Sequence, residues 1–440
     1  MRSIAVTDIM SANIFAWWFG TFLSLSVLLR LWLSARQRRH VLAHRAAVPP
    51  VFDQKIALSA HQRAADYTVA KISLARIELS ISTVLLLALT FGGGLSWIHR
   101  QLLPLLPDAP LLRQVLTIVA VIALTSLIDL PISLYRQFRL EQRFGFNRMT
   151  LRLFVLDALK GTLIGAALGL PLLAAMLALM AGAGALWWFW AWALWMAFNL
   201  TVLVLYPTVI APLFNKFLPL EPGPVRDRIE LLLQRCGFSS AGLFVMDGSK
   251  RSAHGNAYFT GFGKAKRIVF FDTLLAKLAP GEIEAVLAHE LGHFKHRHII
   301  KRIVFSFAGS LVGLAVLGYV ANQPWFYSAL GASLHPQDWP ALSLVLFFLA
   351  VPSFLFPLQP IFSQMSRRHE FQADAFAAAQ TDADQLVAAL VKLYEDNAST
   401  LTPDPLHSAF YDSHPPAAQR IAHLAGLRKS ALSAPAAVGA

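Results

Sequence analysis

The chain has 440 residues, of which 56% are hydrophobic and only 14% charged, with a mean hydropathy of +0.53 and a net charge of +13. That balance excludes an ordinary soluble domain and belongs to a polytopic membrane protein. The basic residues cluster between apolar runs, where they meet headgroups and set topology, so no nucleic-acid partner is expected. Cys236 is the only cysteine, which rules out an internal disulfide and a thiolate metal cage.

Apolar runs long enough to span a bilayer fall at about 11–34, 77–98, 114–134, 153–181, 185–213, 303–320 and 341–362. The first is no cleavable signal, because Arg36, Arg38 and Arg39 follow the apolar run instead of preceding it. Loops 35–76 and 135–152 are rich in Lys and Arg, whereas 99–112 holds only Arg100 and 321–340 holds none. The positive-inside rule then predicts an external N-terminus and a cytoplasmic C-terminus, with segments 214–302 and 363–440 on the same cytoplasmic face. Asp129, Asp157, Lys160 and Asn199 lie inside spans and are expected to face a cavity or each other.

Within 214–302, "PVRDRIELLLQRCGF" predicts an amphipathic helix ending near Gly237. "GLFVMDG", "NAYFTGFG" and "RIVFFDT" predict short strands of a small sheet, with a hairpin near Lys264 to Lys266. Pro280, Gly281 and Glu282 open a further helix, Pro early and acid in the first turn. On it, "HELGH" places His289 and His293 one turn apart on one face, spaced to close on a single tetrahedral metal ion. Glu290, one step around, can act as general base on a water at the metal.

A catalytic zinc needs a third protein ligand. Glu370, in "HEFQAD" just past the seventh run, is the best candidate, with Asp412 the next. If the metal-site helix runs on into the sixth span, His293 and Glu370 stand about 12–15 Å beyond the membrane ends and meet at one height. Asp374, a turn after Glu370, can accept from the outer nitrogen of a ligating histidine and fix its tautomer. His296 and His298 are expected to face headgroups. The tail from about Leu427 is unpatterned and expected to be disordered. Read alone, His414 ahead of two prolines is equally a loop residue, and 256–259 an ordinary strand.

"HELGH", "EFQAD" and "DSHPPAAQRI", together with "RFGFNRMT" (143–150), "IAPLFNKFLPL" (210–220) and "HGNAYFTGFG" (254–263), resemble the type I CAAX prenyl protease family from about residue 50 to 425. The resemblance implies a mostly α, polytopic seven-helix membrane protein enclosing a chamber. A cytoplasmic α+β zincin-like metallopeptidase domain would carry one Zn2+ per chain, held by His289, His293 and Glu370. It also implies Glu290 as base, Asp374 as supporting carboxylate, His414 and Arg420 as catalytic groups, and Asn256, Ala257, Tyr258 and Phe259 as the strand that binds substrate. The expected partners are a peptide or lipidated peptide substrate and the lipid bilayer; sequence gives no oligomeric state.

The implied organisation is a five-span membrane part (1–213), a metallopeptidase segment (214–302), two spans (303–362), a C-terminal segment with the third ligand (363–426) and a tail (427–440). An Ala-, Leu- and Arg-rich composition points to a bacterium, hence to its inner membrane. The competing readings are a membrane quality-control zinc protease, an intramembrane-cleaving zinc protease, and a transporter or channel with a structural metal site. The first relatives are shorter with fewer spans; the second is disfavoured by Glu282, Glu284, Lys295 and Arg297 around the motif. Against the third, a structural site has no use for Glu290.

Overall fold

The computed structural model describes residues 2–260, 266–332 and 339–433. Seven of its helices are long and apolar enough to cross a membrane: Asp8–Ala43, Leu58–Leu89, Pro110–Glu141, Leu151–Gly182, Gly184–Phe214, His298–Val320 and Trp339–Gln380. Their number and order agree with the seven predicted runs, but most are longer. A 32-residue helix measures about 48 Å at 1.5 Å per residue, well beyond a hydrocarbon core of about 30 Å.

The helices of this part are α1 (Arg2–Ala43), α2 (Leu58–Leu89), α3 (Gly94–Leu102), α4 (Pro110–Tyr135), α5 (Leu151–Gly182) and α6 (Trp187–Leu205). One shared core unites Phe19 and Leu23 of α1, Ile118 and Val121 of α4, Leu177 of α5 and Ala191 of α6 with the later spans. Trp17, Leu28, Val84 and Leu163 on these helices remain exposed, the apolar surface that membrane-spanning helices carry. Between α1, α2, α4 and the C-terminal segment lies a cavity of about 920 Å³, with Arg30, Lys71, Arg76 and Asp129 in its wall.

Of the four polar residues expected inside spans, Asp129 faces that cavity. Asp157 accepts from Arg251 Nε at 2.8 Å, Lys160 donates to the Leu213 carbonyl at 2.9 Å, and Asn199 donates to the Trp195 carbonyl at 2.7 Å. These three are satisfied locally and not by one another. Arg251 also donates to Asn215 Oδ1 and the Phe214 carbonyl, fastening the following segment to α5.

After α7 (Ala211–Phe214) the chain forms β1 (Phe217–Pro219), α8 (Pro224–Arg235), β2 (Leu243–Met246), β3 (Ala257–Thr260) and β4 (Arg267–Phe271). The amphipathic helix ends as predicted, with Gly237 at φ 63° in the left-handed region that favours glycine. The sheet order is β1-β2-β4-β3, with β2 parallel to β4 and the other pairs antiparallel. β3 and β4 pair antiparallel, as the expected hairpin requires; of the connection near Lys264 to Lys266, residues 261–265 lie outside the described residues. Ile268 and Phe270 of β4 pack on Ile229 and Leu232 of α8 and on the helices that follow.

Those helices are α9 (Asp272–Leu275), α10 (Pro280–Lys295), α11 (His298–Val320), α12 (Pro324–Ala329), α13 (Trp339–Leu355), α14 (Gln359–Gln380), α15 (Ala383–Asp396), α16 (Pro405–Tyr411) and α17 (Ala417–Ser433). Two expectations are corrected here. The metal-site helix does not run on into the sixth span: it ends at Lys295, and Arg297 at φ 56° turns the chain before α11 begins. The tail is not irregular from Leu427, since α17 continues to Ser433. Leu427 packs on the sheet-side core and Arg428 pairs with Asp384 at 2.7 Å. Residues 434–440 lie outside the described residues.

Candidate metal centre

α10 is set by its own first turn: Glu282 accepts the Ala279 backbone N–H at 2.7 Å and is held by Lys392 Nζ at 2.8 Å. Ile283, Leu287 and Leu291 bury one face in the sheet-side core. The neighbouring face packs on α14, and Gly292 makes that approach close. α14 follows α13 through one 3-10 turn, Phe356–Leu358, so Glu370 stands on a helix anchored in the seventh span.

His289, His293 and Glu370 converge. His289 Nε2 is 3.3 Å from His293 Nε2 and 3.5 Å from Glu370 Oε2, and His293 Nε2 is 3.4 Å from Glu370 Oε1. Atoms about 2.0–2.1 Å from one ion at tetrahedral angles stand about 3.3–3.4 Å apart, so these separations, the two to Glu370 made by different oxygens of its carboxylate, are of the size a zinc ion needs. The two histidines lie one turn apart on α10, which is why one ion can reach both. Glu370 is buried, and the polar atoms facing its carboxylate within 4 Å are nitrogens: His414 Nδ1 at 2.6 Å from Oε2, His289 Nε2 at 3.5 Å, His293 Nε2 at 3.4 Å and Arg420 Nη1 at 3.9 Å. Two imidazole nitrogens and a buried carboxylate are the donor set that divalent zinc takes. The residues therefore fit a bound divalent ion.

The outer nitrogen of each histidine is engaged. His289 Nδ1 donates to Asp374 Oδ1 at 2.8 Å, and Asp374, fully buried, accepts from Arg420 Nε at 2.9 Å and Nη2 at 2.5 Å. Burial works against the charge of His289, yet hydrogen bonds to Asp374 and Glu370 hold its pKa above the ordinary value. Burial likewise opposes the charge of Arg420, and the hydrogen bond and charge of Asp374 prevail, raising its pKa. His293 Nδ1 is 3.0 Å from His298 Nδ1, whose ring stacks on His369 at 4.0 Å.

His298 corrects an expectation: it does not face headgroups but is 1% exposed, packed behind His293, while His296 is exposed. Nothing in the sequence signals this role, because the left-handed turn at Arg297 that brings His298 back falls on a residue with no special preference for it. Glu290 is half-buried on α10. His414 is 62% exposed at the ligand carboxylate. Asp412 lies in the cavity wall beside His414, outside the His289, His293 and Glu370 cluster.

Ala257, Tyr258 and Phe259 lie on β3, the edge strand, with exposed Asn256 just before it. Phe259 meets Phe294, the neighbour of His293, at a centroid distance of 4.9 Å, which lays the strand along α10. Burial pushes the Tyr258 phenol up to about 12.

Two family profiles match the chain: "CAAX prenyl protease N-terminal, five membrane helices" over residues 37–216 and "Peptidase family M48" over 219–428. The chain is 39% identical over 355 residues to a CAAX prenyl protease 1 homolog of Arabidopsis thaliana, covering 77% of this chain and 81% of that one. It is 35% identical over 418 residues to the homolog of Oryza sativa subsp. japonica, covering 92% and 95%. The crystal structure of S. mikatae Ste24p superposes with a TM-score of 0.85 at 31% identity, over 92% of this chain and 97% of that one. The bacterial origin expected from composition is not borne out, since these relatives are eukaryotic.

Proposed function

Because the chain belongs to the CAAX prenyl protease branch of peptidase family M48, as an integral multi-pass membrane metallopeptidase, we propose that it uses one zinc ion to hydrolyse CAAX-type peptides, prenylated ones among them. The observation that carries the reading is the convergence of His289, His293 and Glu370 at separations of zinc-ligand size. Three ligands leave one position open, as a catalytic site requires. When bound, the ion supplies Lewis acidity to the scissile carbonyl and acidifies the attacking water.

The protein's groups do the rest. Glu290 accepts the proton of the attacking water and returns it to the leaving amine. Asp374, steadied by Arg420, holds the His289 ring. His414, exposed beside the ligand carboxylate, faces the oxyanion that hydrolysis creates. The open edge of β3, from Asn256 to Phe259, offers backbone N–H and C=O groups to an extended peptide. The polar-walled cavity that reaches His414 receives the remainder.

We read residues 1–213 and 303–362 as the membrane part, and 214–302 with 363–426 as the metallopeptidase part, facing the cytoplasm as the basic loops require. The test is zinc content and cleavage of a farnesylated reporter peptide by the purified chain in vesicles, beside the same peptide without the lipid. Stoichiometric zinc with no cleavage of either peptide would refute the peptidase reading. Equal cleavage of both would remove prenylation from the specificity.

A further inference from the structure

We propose that His298 is a positioning residue of the metal centre, holding the His293 ring in the tautomer that presents a lone pair to the ion, and that Gln372 sets the tautomer of His298. The proposal rests on the reading of His289, His293 and Glu370 as the ligands. Its geometry is a two-step chain: His293 Nδ1 lies 3.0 Å from His298 Nδ1, and His298 Nε2 lies 2.8 Å from Gln372 Oε1.

The amide oxygen of Gln372 can only accept, so His298 carries its proton on Nε2. A neutral imidazole then has an unprotonated Nδ1, and the hydrogen in the contact between the two rings belongs to His293 Nδ1. That leaves His293 Nε2 unprotonated, 3.4 Å from Glu370 Oε1 and 3.3 Å from His289 Nε2. Turning the amide over would reverse each assignment and put a proton on His293 Nε2, where the ion must bind. His298 is 1% exposed and stacked on His369 at 4.0 Å, so its ring is fixed well enough to fix another.

The two ligating histidines are thus held differently, His289 by a carboxylate and His293 by a neutral ring. Glu370, Gln372 and Asp374, the polar residues of "EFQAD", serve one site by three routes: ligand, support of His293 through His298, and support of His289. A partner that fixes a ligand's ring and tautomer is worth about 10–100-fold in metal affinity.

The test compares the full chain with His298→Phe, Gln372→Met and Gln372→Glu, reading zinc affinity by chelator competition and the visible absorption of the cobalt(II) form. Phenylalanine keeps the stack on His369 and removes the acceptor, so zinc should weaken about 10–100-fold and the cobalt bands should shift. Gln372 is exposed, so its variants fold. Methionine should weaken zinc about tenfold, whereas glutamate, which still accepts from His298, should bind as tightly as wild type or tighter. A role in packing alone predicts equal affinity for the methionine and glutamate variants, and that equality overturns the proposal even if His298→Phe fails to fold. Wild-type affinity in His298→Phe, with unaltered cobalt bands, overturns it and leaves the ligand set standing. A wild-type chain that binds no zinc overturns the ligand set as well.

Discussion

Gly292 of α10 lies so close to Ala373 of α14 that a β-carbon built on it would stand 2.8 Å from the Ala373 Cα. The glycine inside "HELGH" is therefore the contact that brings two histidines of one helix within reach of the glutamate of another. Gly292→Ala should improve helix propensity by about 1 kcal/mol but overpack the interface by about 1–3 kcal/mol. The helices would separate and zinc affinity would fall. Thermal unfolding with and without zinc checks this, and tight zinc with an unchanged Tm would contradict it.

Glu290→Gln should keep zinc bound and lower turnover by about 10²–10⁴, because an amide cannot take a proton from water. Zinc content and reporter cleavage, measured on the same preparation, decide the matter. Near wild-type turnover at full zinc loading would remove Glu290 from the mechanism.

Glu370→Ala should lose zinc outright, leaving two histidines to hold the ion. Asp374→Ala should weaken zinc about 10–100-fold, and more visibly destabilise the fold. It strips the hydrogen-bonded partner from Arg420, whose side chain is only 9% exposed and keeps only a longer contact to Glu370 Oε2 at 3.9 Å; breaking a buried ion pair costs up to about 3–5 kcal/mol. Chelator competition and urea unfolding separate the two variants, and a Glu370→Ala chain with wild-type affinity would place the third ligand elsewhere.

From sequence, His414→Ala and Arg420→Ala are both expected to slow turnover with zinc in place, His414→Ala the more severely. The structure parts them. His414, 62% exposed at the ligand carboxylate, should lose about 10²–10³ in kcat with little change in stability. Arg420 is spent on Asp374, so Arg420→Ala should reduce zinc affinity and stability first, and turnover through them. Rates normalised to zinc-loaded protein test this: an unchanged normalised rate in His414→Ala would retire its catalytic role.

Reporter fusions at about residue 225 and at the C-terminus should be cytoplasmic, and one near residue 330 external, since Lys and Arg crowd alternate loops. An external C-terminal fusion would overturn the orientation.

Much of this was legible because its signals are periodic or paired. Seven runs of hydropathy, histidines four apart, and Glu370 and Asp374 four apart on a later helix all follow from helix geometry alone. The span ends were not legible, because the helices carry polar residues past the apolar runs without stopping: Arg36, Arg38 and Arg39 still lie in α1 and Arg76 in α2, where hydropathy reads them as loop. The roles of His298, expected to face headgroups, and of Gln372 were not legible for a different reason. Their roles depend on a turn at Arg297 and on which way a ring faces, neither of which leaves a repeat in the sequence.

The ligands stand on either side of two membrane spans, His289 and His293 before α11 and Glu370 after α13. A ribosome therefore delivers a half-site first, and the missing carboxylate only after the seventh helix has left the tunnel and entered the bilayer. Until then the nascent chain holds a histidine pair that cannot retain the ion. On the proposed ligand set, metal binding therefore waits for insertion of the seventh helix, and a chain truncated before α14 lacks its third ligand.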